Sequence, residues 1–169
     1  MMEPGEIFKE GQRAREEMQA SHFSIVTAWR GPRPGKDFEK VKEAVREMTQ
    51  VDVGTCTSLG ILPNAGMAQE LKDSGLNYYH HKLETAESHF DKICTTHTFQ
   101  ERVQTIKHAR QAGLTVCSGG LFGMGETPVQ RVELAMTLQN LDVTSVPINI
   151  LHPVDGTPQS QLHEPIRPL

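Results

Sequence analysis

Apolar positions along the chain alternate between helical spacing and the two-residue period of strands. After Pro4, suited to a first helical turn, Ile7, Phe8, Ala14 and Met18 recur near helical spacing. The run HFSIVTAW (22–29) is β-rich and stops at Gly31 and Pro32. Asp37 is the expected cap of a second helix with Phe38, Val41, Val45 and Met48 on one face. A strand is predicted at 53–59, then a turn through Pro63, then a helix from Asn64 that carries Met67 and Leu71 and stops at Gly75. Residues 76–83 read as the next strand, and 84–96 as a long loop of the kind that is often functional. Thr98 and Glu101 form a capping box for a helix with Phe99, Val103 and Ile106, closed by Gly113. A strand at 114–122, a helix from Thr127 and Pro128 to Leu141, and a strand at 146–151 complete the pattern.

Five strands separated by helices imply right-handed βαβ units and parallel pairing. A doubly wound sheet and a partial barrel both fit that count, and strand alternation separates them. Val51, Val53, Thr55 and Thr57 share one face, and Gly54, Cys56 and Ser58 the other. Leu114, Val116 and Ser118 likewise oppose Thr115, Cys117 and Gly119, and Val146, Ile148 and Ile150 oppose Ser145, Pro147 and Asn149. A bulky face suits packing on helices; a small or polar face suits a barrel interior that holds ligands. The predicted class is therefore α/β, a partial (β/α) TIM-type barrel of about five parallel strands. It spans residues 1–158, with a proline-containing tail at 159–169.

Composition narrows the function classes. The chain has 169 residues, short for an eight-unit barrel of about 250. A net charge of −4 with mixed signs leaves no nucleic-acid footprint. No apolar run reaches the roughly 18 residues of a membrane span, and residues 1–5 do not resemble a signal peptide, so the expected location is the cytoplasm. Three widely spaced cysteines, Cys56, Cys94 and Cys117, do not form a disulfide framework.

Cys56 and Cys117 fall on the small-residue face toward the C-terminal ends of their strands, where parallel α/β folds place their chemistry. Thiolates are the main ligands of iron–sulfur clusters, so the two are either a ligand pair or bystanders. The run VCSGGLFGMGE (116–126) adds Gly119 and Gly120, which would let a flat ligand approach the backbone, and Gly123 and Gly125, which would turn the loop back before Glu126. Cys94 and His97 have a C-x-x-H look but no second pair, and read as structural.

Residues 116–127 resemble the S-adenosylmethionine-binding stretch of the biotin synthase family, a version of G-x-I-x-G-x-x-E with Leu121 at the isoleucine position. GTCTSLG (54–60), YYHHKLET (78–85), CTTHTFQER (94–102), SVPINIL (145–151) and DGTP (155–158) resemble the same family in order and spacing. Hydrogenase-maturation and methylornithine enzymes share its barrel. The resemblance implies a radical S-adenosylmethionine enzyme, a sulfurtransferase that inserts sulfur into dethiobiotin to form biotin. Its cofactors would be S-adenosylmethionine and iron–sulfur clusters, and its electron donor flavodoxin or ferredoxin; a homodimer is left open. Cys56 and Cys117 match ligands of an auxiliary cluster, while the third family cysteine falls at Ser24, whose hydroxyl is a hard, poor substitute. Gly119, Gly120, Glu126 and His80 match cofactor-binding positions, and Lys82, Glu84 and Asn149 match substrate-facing ones. Familiar members carry asparagine, asparagine and aspartate at 80, 82 and 84, so His80 and Lys82 depart from the pattern.

The family holds its catalytic 4Fe-4S cluster through C-x3-C-x2-C, which is absent from this sequence. No catalytic residue is therefore assigned, and the chain alone is expected to be inactive. Two rivals stand beside biotin synthesis: a related radical enzyme acting on another small molecule, and a noncatalytic truncated protein that associates through open strand edges.

Overall fold

The computed structural model describes residues 2–157 and 160. The expected tail at 159–169, Ser160 apart, and Pro158 of the DGTP stretch lie outside the described residues. Among the described residues, helices α1 (Pro4–Met18), α2 (Lys36–Met48), α3 (Ala65–Asp73), α4 (Glu87–Ile93), α5 (Phe99–Gln111) and α6 (Pro128–Asn140) are interspersed with six short strands. These are β1 (His22–Val26), β2 (Gly54–Ser58), β3 (Tyr78–His80), β4 (Thr115–Cys117), β5 (Gly120–Phe122) and β6 (Ile148–Ile150). Among the described residues no helix is long and apolar enough to cross a membrane.

The chain divides into two compact units, Met1–His81 with Gln104–Val116, and Lys82–Val103 with Cys117–Leu169. In the first, strands follow the order β1-β2-β3-β4, with β1–β2 and β2–β3 parallel. Chain neighbours are spatial neighbours because each intervening helix returns the chain to the same end of the sheet. Thr55 and Thr57 are buried while Gly54, Cys56 and Ser58 are half-exposed, as the alternation predicts. The apolar stripe of α2 lies in the core: Phe38, Val41, Val45 and Met48 are all almost fully buried. Gly11 of α1 admits the Met48 side chain, which a methyl group there would strike. Lys42 is buried on the same helix, its ammonium held by Glu70 at 2.6 Å and Glu39 at 2.8 Å.

In the second unit β5 and β6 pair in parallel and α4 packs on α6. Capping fixes the helix starts. Thr127 Oγ1 accepts from the Gln130 backbone at 3.3 Å, and the Gln130 side chain accepts from the Thr127 N–H at 2.9 Å. Thr98 and Glu101 repeat this reciprocal pair at the start of α5.

Strands β1, β3 and β6 are shorter than the runs at 22–29, 76–83 and 146–151 predict, and the structure departs from the sequence reading in four further places. Asp37 lies inside α2, whose cap is Gly35. Residues 84–96 are not all loop, because α4 forms within them. The strand expected at 114–122 is two strands, interrupted at Ser118 and Gly119, where the backbone changes partner from β3 to residues 145–147. Ile148 and Ile150 are exposed rather than packed on a helix.

Candidate functional site

On the first unit's sheet, parallel register places Ser24 of β1 beside Cys56 of β2, and Cys56 beside Tyr78 of β3. Residues in register share a sheet face, so Ser24, Cys56 and Tyr78 form a row across three strands. His80 lies two residues beyond Tyr78 on that face, half-buried. Cys56 is half-exposed; its Sγ lies 3.8 Å from the Thr57 carbonyl oxygen. Behind this row Tyr79 is completely buried and donates its hydroxyl proton to the Gly60 carbonyl at 2.8 Å. Burial pushes its phenol far above the ordinary tyrosine range.

The second unit assembles its candidate residues mainly through the backbone. The N–H groups of Leu83 and Glu84 both donate to the Gly119 carbonyl, at 3.0 and 3.2 Å. Leu121 N–H donates to the Glu84 carbonyl at 2.7 Å, and Gly120 N–H to the Pro147 carbonyl at 3.2 Å. Glu84 adopts φ = +70°, a left-handed conformation uncommon outside glycine and a point of stored strain. Asn149 stands opposite Leu121 in the β5–β6 register, exposed. The Cys117 thiol is half-exposed and accepts a hydrogen bond from Ser145 Oγ at 3.3 Å.

The two glycines are bare for the chain's own sake. A methyl group on Gly119 would overlap the Pro147 carbonyl, and one on Gly120 would strike Leu134 and the Glu84 carbonyl. Glu126 is also engaged by its own loop. Its buried carboxylate accepts from Gly123 N–H at 2.9 Å, Met124 N–H at 2.8 Å and Arg131 Nε at 2.8 Å. Burial alone would push this carboxyl up, but these donors outweigh it and hold the group below its ordinary range.

Sequence reading missed Arg102. It follows Glu101 on α5 with only 16% of its side chain exposed. Its guanidinium donates to the Lys82 carbonyl at 2.7 Å and to His97 Nε2 at 2.8 Å, lies 3.6 Å from the Glu84 carboxylate, and covers the Phe90 ring. Arg102 thus fixes the segment that carries Lys82 and Glu84. Burial lowers its pKa, with Glu84 and Cys94 opposing; a guanidinium remains charged regardless. The available signal was a cation next to Val103 on the buried stripe of α5, a position that helical spacing alone does not mark.

The profile of the radical SAM superfamily matches residues 1–138. The chain belongs to the radical SAM superfamily. It is 48% identical over 157 residues to the biotin synthase of Desulforudis audaxviator, covering 92% of this chain and 47% of that one. It is 51% identical over 150 residues to the biotin synthase of Pelotomaculum thermopropionicum, covering 87% and 46%. The chain therefore spans about half the length of the curated relatives it matches. Its fold is that of the parallel α/β radical SAM enzymes. Methylornithine synthase superposes with a TM-score of 0.78 at 19% identity, over 91% of this chain and 46% of that one. The FeFe-hydrogenase maturase HydG from Carboxydothermus hydrogenoformans gives 0.70 at 18%, over 90% and 38%.

Proposed function

We propose that this chain serves in a biotin synthase-type enzyme, a sulfurtransferase that converts dethiobiotin to biotin. The observation that carries this reading is identity of about one half to biotin synthases over most of the chain. In that role the chain would contribute to sites for S-adenosylmethionine and an auxiliary iron–sulfur cluster, which when bound supply the one-electron chemistry and the sulfur.

The donor chemistry fits the auxiliary cluster in part. Cys56 and Cys117 are half-exposed cysteines outside any disulfide, the soft ligands such a cluster needs. Ser24, in register with Cys56, offers a hard hydroxyl. Among the described residues no group of three or more His, Cys, Asp or Glu side chains is placed to hold a metal ion. Cys56 and Cys117 are therefore proposed as two ligands of a set completed elsewhere. For S-adenosylmethionine, Gly119 and Gly120 are proposed on the family resemblance, the space a side chain would take at each being filled by Pro147, Leu134 and Glu84, and Glu126 holds the following loop in shape without reaching outward. His80 completes the cofactor set. The substrate is assigned to Lys82, Glu84 and Asn149, with Arg102 orienting the first two from behind.

A second reading, the same class of chemistry on another small molecule, is favoured by His80 and Lys82, which replace neutral amides of familiar biotin synthases with titratable groups. Grafting this chain into the Desulforudis audaxviator biotin synthase in place of the matched segment separates the two. Biotin formed from dethiobiotin by the anaerobically reconstituted graft supports the first reading. A folded, cluster-bearing graft that makes no biotin rejects it.

A further inference from the structure

His89 lies on α4, only 3% exposed, and belongs to none of the sites assigned above. Its Nε2 lies 3.0 Å from the Met124 carbonyl oxygen. A carbonyl can only accept, so the ring proton must sit on Nε2 and Nδ1 must carry a lone pair. That Nδ1 is buried and has no hydrogen-bond partner. Packing alone would be better served by phenylalanine, which fills similar space without an unpaired buried nitrogen. What the imidazole adds is one N–H aimed at the loop after β5. Glu126 holds the N–H groups of Gly123 and Met124 from within that loop, and His89 holds the Met124 carbonyl from α4. The turn so fixed has left-handed backbone at Gly123 (φ +95°) and Gly125 (φ +84°), on either side of Met124. The support behind His89 is itself anchored to α6: Ser88 N–H donates to Glu133 at 3.0 Å, and Ser88 Oγ accepts from Gln130 at 3.2 Å.

We propose that His89 is a positioning residue of the glycine-rich loop. Through the Met124 carbonyl it sets the loop conformation that S-adenosylmethionine meets, a role that rests on the cofactor reading above. Rotating the Met124–Gly125 peptide away from α4 would leave the buried Nε2–H without an acceptor, which holds the peptide in place. Without that donor the carbonyl can turn toward water, and the glycines flanking Met124 offer little steric resistance. The loop then samples several conformations, and only the fraction in the competent one binds cofactor, so apparent affinity falls by that fraction. His89 is buried behind the loop and so sets how readily the cofactor binds; the rate once it is bound is left unchanged.

The test starts in this chain, with amide hydrogen exchange at Gly123 and Met124 followed by NMR beside denaturant unfolding. His89→Phe keeps a ring and drops the donor, and His89→Gln returns an N–H near the Nε2 position. One hydrogen bond corresponds to about fivefold in an equilibrium. His89→Phe is expected to speed exchange at these two amides about fivefold, and His89→Gln to restore it. The unfolding midpoint should hardly move, because relief of the unpaired Nδ1 offsets the lost bond in global unfolding but not in loop opening. Unchanged exchange in folded His89→Phe overturns the proposal, as does an equal acceleration at every protected amide. In the biotin synthase graft, the S-adenosylmethionine Kd from equilibrium dialysis is expected to rise about fivefold with His89→Phe and to recover with His89→Gln. Biotin formation at saturating cofactor should keep its kcat. An unchanged Kd overturns the proposal, and an unsubstituted graft that binds no S-adenosylmethionine overturns it together with the cofactor reading. A graft that binds the cofactor but makes no biotin counts against the proposed reaction, and the Kd comparison still decides the role of His89. If His89→Phe does not fold, nitrogen NMR of the unsubstituted chain decides. The expected result is a proton on Nε2 of His89 that exchanges slowly with solvent; a proton on Nδ1, or one that exchanges freely, overturns the proposal.

Discussion

Glu126 has exchanged water for four donors: the backbone N–H groups of Gly123, Met124 and Glu126 itself, and the Arg131 guanidinium. Glu126→Gln keeps the shape but removes the charge those donors point at, and is expected to cost about 2 kcal/mol in denaturant unfolding. The folded-state pKa lies below the unfolded one. Its stabilisation is therefore complete above the unfolded carboxylate range near 4.3 and is lost as pH falls through the folded value. The variant should lose that acid-side slope; an unchanged slope would contradict the role. Tyr79 shifts the other way. Its stabilisation is present below about pH 10 and is lost as pH rises past that point. The chain has two tyrosines, so Tyr78→Phe leaves Tyr79 as the only phenol. Its ultraviolet phenolate band should appear only together with alkaline unfolding, whereas a reversible titration near 10 in the folded state would contradict its burial. Residue types at both positions were legible in the sequence, but their partners were not. Glu126 read as a group aimed at a cofactor because the glycine-rich run said nothing of which atoms its carboxylate meets. Arg102 passed unnoticed because a charge beside an apolar stripe usually faces water.

At the scale of elements, local signals served well wherever they were self-contained. Pro4, Asn64, Thr98 and Thr127 each mark a helix start that the structure keeps, since a cap is satisfied within a few residues. Strand lengths were overestimated, because apolar alternation continues past the last backbone pairing. Burial still alternates through 78–84 although β3 ends at His80. The break between β4 and β5 had a visible source in Ser118, Gly119 and Gly120, but its reason lies in a partner some thirty residues away. Gly119 lies against the Pro147 backbone, which cannot yield as a side chain would. Gly119→Ala is expected to destabilise the chain by about 3 kcal/mol through overpacking. Unfolding midpoints equal to those of the unsubstituted chain would show that the close approach is not required.

For the whole molecule, the two-residue and helical periods gave an α/β chain with parallel pairing, and the fold agrees with radical SAM enzymes over most of its length. Periodicity does not report which small-faced strands share a ligand. The pairing of Cys56 with Cys117 rests on residue type and family resemblance. Their assignment as soft ligands is the claim on which the proposed chemistry turns. It is tested most directly by iron and sulfide content, with visible absorption, of the anaerobically reconstituted biotin synthase graft and of its Cys56→Ala and Cys117→Ala forms. The account predicts that each substitution removes the iron, sulfide and absorption of one cluster and leaves the other cluster in place. Iron content and spectra that are the same in all three proteins would contradict it.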